Sequence, residues 1–95
     1  MNIQKLHNYD KEVSAISLFK GEIGSSTAIQ ILEYGKLKEH ITKTPALLLC
    51  ISGQVSYQDE TGYKLDLAAG DYTPIEPNVT HWLIATEKSQ LLLLK

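Results

Sequence analysis

Three histidines, His7, His40 and His81, and one cysteine, Cys50, carry the side chains with the widest chemical reach at neutral pH. An imidazole can act as general base or metal ligand, and a thiolate as nucleophile or soft ligand. Catalytic zinc and non-haem iron centres take three protein ligands, and the iron facial triad sets a carboxylate beside two histidines. Read residue by residue, His40 beside Glu39 suits a solvated loop, and His81 suits a sheet position where a neighbouring carbonyl satisfies it. His7 reads as a surface residue. Cys50 shares strand parity with Ala46 and Leu48, so a strand that turns one of them inward turns all three, and a lone buried thiol behaves as a small hydrophobe. Asp71, next to Gly70, reads as a turn-capping carboxylate rather than a general base.

The rest of the composition narrows the partners. Nine basic residues, all lysine, stand against eleven carboxylates scattered along 95 residues, for a net charge of -2. No basic stripe exists to neutralise phosphates, which argues against nucleic acid. Without arginine the two-point recognition of carboxylate or phosphate is lost. The longest apolar run, Ala46 to Ile51, is far short of the roughly 20 residues of a membrane-spanning helix. A single cysteine forms no internal disulfide, and no leader-like pattern opens the chain, so a cytoplasmic protein is expected. The length suits one domain, residues 1–95, with residues 1–26 as an N-terminal edge strand and turn region and residues 27–95 as a barrel.

Short apolar or alternating runs punctuated by turn residues predict seven or eight strands and no long helix. Asn2 to Lys20 is read as an edge strand, and Ala28 to Tyr34 as a strand ended by Gly35. Lys36 to Thr44 is a polar connection to Pro45, and Ala46 to Ile51 a strand buried on both faces. Ser52 and Gly53 interrupt that run before Gln54 to Gln58, and Asp59 to Gly62 form a hairpin turn into Tyr63 to Leu67. Tyr72 to Ile75 and Thr80 to Thr86 follow; Glu87 to Gln90 closes a last hairpin, and Leu91 to Leu94 is a central strand. The class is all-β, a small antiparallel barrel.

Two stretches add a resemblance. Gly35 to Gly53 resembles the first conserved motif of the cupin superfamily, with Gly35 as the opening glycine, His40 as the first histidine and Gly53 as the closing glycine. Thr42 stands where the family has its second histidine, and Ala46 where it has glutamate. Gly70 to Ala85 resembles the second motif, with Pro77 and Asn78 in its turn and His81 at its histidine, while Ala85 replaces an asparagine. The resemblance covers Ala28 to Leu94 and implies a jelly-roll barrel, or double-stranded β-helix, of the RmlC-like cupin type.

The resemblance also implies that His40 and His81 point into one cavity as a reduced metal site for iron, manganese, nickel or zinc. Thr42, Ala46, Leu48, Cys50 and Tyr34 are the expected pocket residues, and a third ligand would come from outside the motifs, with Gln30, Tyr34, Gln54 and Tyr72 as candidates. Tyr57 and Tyr63 are further candidates for the cavity rim. Three functions remain open. The leading one is a small-molecule binder, a sensor or accessory protein with a loosely held divalent ion. The second is a metal-dependent dioxygenase, isomerase or decarboxylase using His40 and His81. The third is a structural role with a filled cavity, favoured if Leu32, Leu48 and Leu83 point inward. Leu47, Leu49, Ile51 and Trp82 exceed what one thin barrel covers, so a homodimer is expected.

Overall fold

A computed structural model describes all 95 residues. After a short 3-10 turn at Ile3–Leu6, seven strands follow: β1 (Val13–Lys20), β2 (Ser25–Ile31), β3 (Lys36–His40), β4 (Ala46–Asp59), β5 (Lys64–Ala68), β6 (Tyr72–Ile75) and β7 (His81–Leu94). All pairings are antiparallel, in the order β1-β2-β7-β4-β5, with β3 also on β7 and β6 also on β4. The long strands β4 and β7 belong to two layers. The first half of β4 and the second half of β7 lie with β1, β2 and β6; the other halves lie with β3 and β5. Residues of both layers, including Ile29, Leu48 and Leu91 on one side and Val55, Tyr57 and Leu83 on the other, share one core.

The bend in these strands corrects two expected breaks. Ser52–Gly53 does not end a strand, and Glu87 to Gln90 is not a hairpin; both are irregular pairings inside continuous 14-residue strands. Gly53 has φ +91°, and a side chain there would run into the Ser89 hydroxyl and the Lys88 carbonyl. The Ser89 hydroxyl replaces the disturbed ladder, accepting from the Gln54 amide at 3.0 Å and donating to the Glu87 carbonyl at 2.8 Å. Gly53 from one expected break and Ser89 from the other are thus the residues that let the strands bend without leaving polar groups bare.

Other boundaries shift for local reasons. The polar segment after Gly35 forms β3, because its backbone pairs with β7 while its lysines face water. Only Val13–Lys20 of the first stretch is a strand. The Ala28 to Tyr34 run stops at Ile31, where Tyr34 takes φ 63° in a turn. Ala46 to Ile51 is enclosed on one face only: Ala46, Leu48 and Cys50 are buried, whereas Leu47 and Leu49 are half-buried and Ile51 is exposed.

His7 is a larger correction. It is buried, and its Nδ1 lies 2.8 Å from the Ser14 hydroxyl. The row Ser14–Gln30–Gln90 crosses β1, β2 and β7, and the N-terminal segment packs over it: Gln30 Nε2 donates to the Asn8 carbonyl at 3.3 Å, and Gln90 Nε2 donates to Gln30 Oε1 at 2.8 Å. A polar row on an outer sheet face gives a neighbouring histidine a partner, which a reading of His7 in isolation could not include.

Candidate functional site

The second layer brings His40 and His81 together. They are register partners on β3 and β7, with ring centroids 4.1 Å apart at an interplanar angle of 61°. His81 Nδ1 donates to the Val79 carbonyl at 3.2 Å and His40 Nδ1 to the Lys38 carbonyl at 2.9 Å. A carbonyl only accepts, so each neutral ring keeps its proton on Nδ1 and its lone pair on Nε2. Burial, with a smaller contribution from His40, holds the His81 pKa below its ordinary value of 6.5 and keeps that lone pair free.

On the other side of His81, Tyr57 stacks at 5.7 Å between centroids and 24° between planes, and Tyr63 meets Tyr57 edge-on at 6.1 Å. Asp59 lies directly across from His81 in the β4–β7 register, at the base of the hairpin. Its Oδ1 is committed to that turn, accepting from the Thr61 amide and hydroxyl at 2.8 and 2.5 Å and the Tyr63 amide at 3.2 Å. These bonds, led by the Thr61 hydroxyl, hold its pKa below the usual carboxylate range. Burial and the nearby Asp59 raise the Tyr57 phenol to about 12, so it stays neutral.

The expected pocket residues divide. Leu48 lines a closed cavity with His40 and His81, together with Leu37, Ile75 and Leu83, but its volume is only about 10 Å³, room for at most one water. The barrel interior is therefore filled. Ala46 and Cys50 are core residues, and burial raises the Cys50 thiol, whose hydrogen points to the Ser52 carbonyl at 3.5 Å. That environment leaves the thiol protonated and unreactive. Thr42 is buried with its hydroxyl unpartnered. Tyr34 is 78% exposed in its turn and does not rim the cavity.

A larger hollow, about 310 Å³, opens beside Tyr57 and is walled by Asp59, Thr61, Tyr63, Thr73, Pro74 and Glu76. Reading Asp59 and Thr61 as turn formers correctly identified their hairpin but missed its second face, which borders this hollow. The signal was available in strand parity: Tyr57 and Asp59 fall on the inward face of β4, in line with Val55.

A divalent ion of the type implied by the motifs fits these residues poorly. Two imidazole rings are adjacent, but no group of three His, Cys, Asp or Glu side chains converges. Of the residues considered as a third ligand, Gln30 is bonded on the outer face, while Tyr34, Gln54 and Tyr72 are exposed.

No family profile matches the sequence, and no curated protein matches it. Solved structures do. A cupin superfamily protein from Desulfitobacterium hafniense superposes with TM-score 0.85 at 13% identity, over 98% of this chain and 84% of its own. The chain has a small cupin fold. An RmlC-like cupin from Shewanella frigidimarina gives TM-score 0.80 at 15% identity over 92% of this chain and 78% of its own. A conserved Streptococcus pyogenes protein of unknown function gives 0.83 at 16% identity over 99% and 82%. At such identities the likeness to these cupins is one of fold, and the site has to be read from this chain's own residues.

Proposed function

We propose that this cupin-fold chain binds a small molecule at the barrel mouth, in the hollow beside Tyr57 and His81, and acts as a sensor or accessory protein. The observation that carries the reading is the contrast in space: the interior beneath the histidines is closed to about 10 Å³, while the hollow holds about 310 Å³, at the lower end of ligand-sized sites. Its wall mixes aromatic faces with a few polar groups. Ligand-observed NMR with a library of small fragments tests it, using wild type and Pro74→Trp, which fills the hollow from its exposed rim. Fragments that bind wild type and are lost from a folded Pro74→Trp variant support the proposal; an absence of binders overturns it.

The adjacent rings of His40 and His81, each with Nδ1 engaged and Nε2 unbonded, favour a second reading, in which the pair holds a divalent ion (iron, manganese, nickel or zinc) in a metal-dependent dioxygenase, isomerase or decarboxylase. With two side-chain ligands such an ion is loosely held, so the binding reading is preferred.

Two further features belong to the proposal. A homodimer through the outer face of the first layer is supported by the cross-strand rows Ile16–Ala28–Leu92–Leu49 and Ser26–Leu94–Leu47, in which Leu47, Leu49 and Leu92 are half-buried and Leu94 is exposed. A cytoplasmic setting is supported by the single free thiol of Cys50.

A further inference from the structure

The chemistry of the hollow narrows its ligand, an inference that rests on the binding proposal above. Two carboxylates, Asp59 and Glu76, border it, and no lysine or histidine is among its walls. Asp59 Oδ1 is occupied by the turn, leaving Oδ2 unused. Tyr57 supplies an independent pointer: it is 2% exposed, yet its hydroxyl makes no hydrogen bond to the protein, and both carboxylates act on that phenol. The ring is enclosed while its hydroxyl, at the wall of the hollow, has no protein partner, so that oxygen is open to a hydrogen bond from a molecule outside the chain. Tyr63 adds a second aromatic ring at 6.1 Å from Tyr57, and Thr73, 1% exposed, closes the floor.

We infer that the hollow takes a small primary amine in its ammonium form, donating to the carboxylates of Asp59 and Glu76 and to the Tyr57 hydroxyl, with its apolar part against Tyr63. Three N–H donors match three acceptors, and charge-assisted bonds of this kind are the strong ones. A cation beside tyrosine rings gains further. A carboxylate ligand is repelled by both acids, and a neutral alcohol of the same shape forfeits the charge.

Benzylamine, benzyl alcohol and benzoate form a probe set of one shape and three charges. Binding is read by calorimetry and by the ring resonances of Tyr57 and Tyr63. Benzylamine is expected to bind about tenfold or more tighter than benzyl alcohol, with benzoate weakest. Glu76→Gln, a change at an exposed position, is expected to weaken benzylamine about tenfold and so to narrow its advantage over benzyl alcohol. If the alcohol or benzoate moves the Tyr57 and Tyr63 resonances at affinities equal to the amine, the cationic preference is overturned while the binding reading stands. If no probe of any charge moves them, both fail.

Discussion

His40 and His81 face each other across β3 and β7 with ring centroids 4.1 Å apart, and each donates its Nδ1 proton to a main-chain carbonyl two residues earlier in its own strand or turn. Both rings therefore have a fixed tautomer and a free Nε2. Orienting hydrogen bonds of this kind accompany metal-binding histidines, but the coordinating set stops at two.

That shortfall sets the metal behaviour. Protein purified without chelator is expected to retain well below one equivalent of metal after desalting, measured by elemental analysis. Added zinc should perturb the His40 and His81 ring signals and be removed by a mild chelator, and His81→Ala should abolish the perturbation. Stoichiometric metal surviving desalting would require a third ligand that this geometry lacks.

Acid should loosen the fold through its buried imidazoles. Burial lowers the pKa of His81 and of His7 from 6.5 in the folded chain. Between that value and the lowered one, the unfolded chain binds more protons, so stability rises with pH there. These two groups cost nothing above pH 6.5 and destabilise progressively as pH falls below it. Urea midpoints should be lower at pH about 5 than at about 7.5, and the His7→Gln, His81→Gln double variant should flatten the difference. A midpoint slope equal in both proteins would contradict the assignment.

Gly53 tests the bend in β4. With φ +91° and the Ser89 hydroxyl and Lys88 carbonyl against its open side, Gly53→Ala must strain the backbone and displace β7. A loss of about 1–3 kcal/mol is expected for the conformation alone, read from denaturant midpoints. Gly62, also at positive φ but with nothing near its open side, provides a control that carries the backbone cost without the clash.

The outer-face leucines test the dimer. Leu47 and Leu94 are register partners with incompletely buried side chains, so Leu47→Lys with Leu94→Lys should leave the core intact. Light scattering after size exclusion should give a dimer mass for wild type and a monomer mass for the variant. A monomeric wild type would contradict the assembly.

The sequence made the barrel legible because alternation, glycine turns and two spaced histidines all agree with it, and the inward facing of Ala46, Leu48 and Cys50 follows from parity, which switches to Val55 and Tyr57 across the bend at Gly53. It was less informative where one residue serves two purposes. Gly53 looks like a terminator and is a bend; Asp59 looks like a turn former and also borders the hollow. His7 looks like a surface residue because the row it packs on, Ser14, Gln30 and Gln90, comes from three distant strands. Tyr34 shares parity with the outward Gln30 rather than with the inward Ile29 and Ile31, and the strand ends three residues before it. The side chains that close the interior, Leu37, Ile75 and Leu83, come from three strands, so its small volume is a property of packing that no local pattern carries.

The most direct test of the binding site is a fragment titration followed by side-chain NMR, with tyrosine and histidine rings labelled. The account predicts that bound fragments shift Tyr57, Tyr63 and His81 together and leave His7, on the opposite face of the first layer, unmoved. Shifts confined to His7, or no saturable shift at Tyr57 and Tyr63, would contradict a ligand site at the barrel mouth.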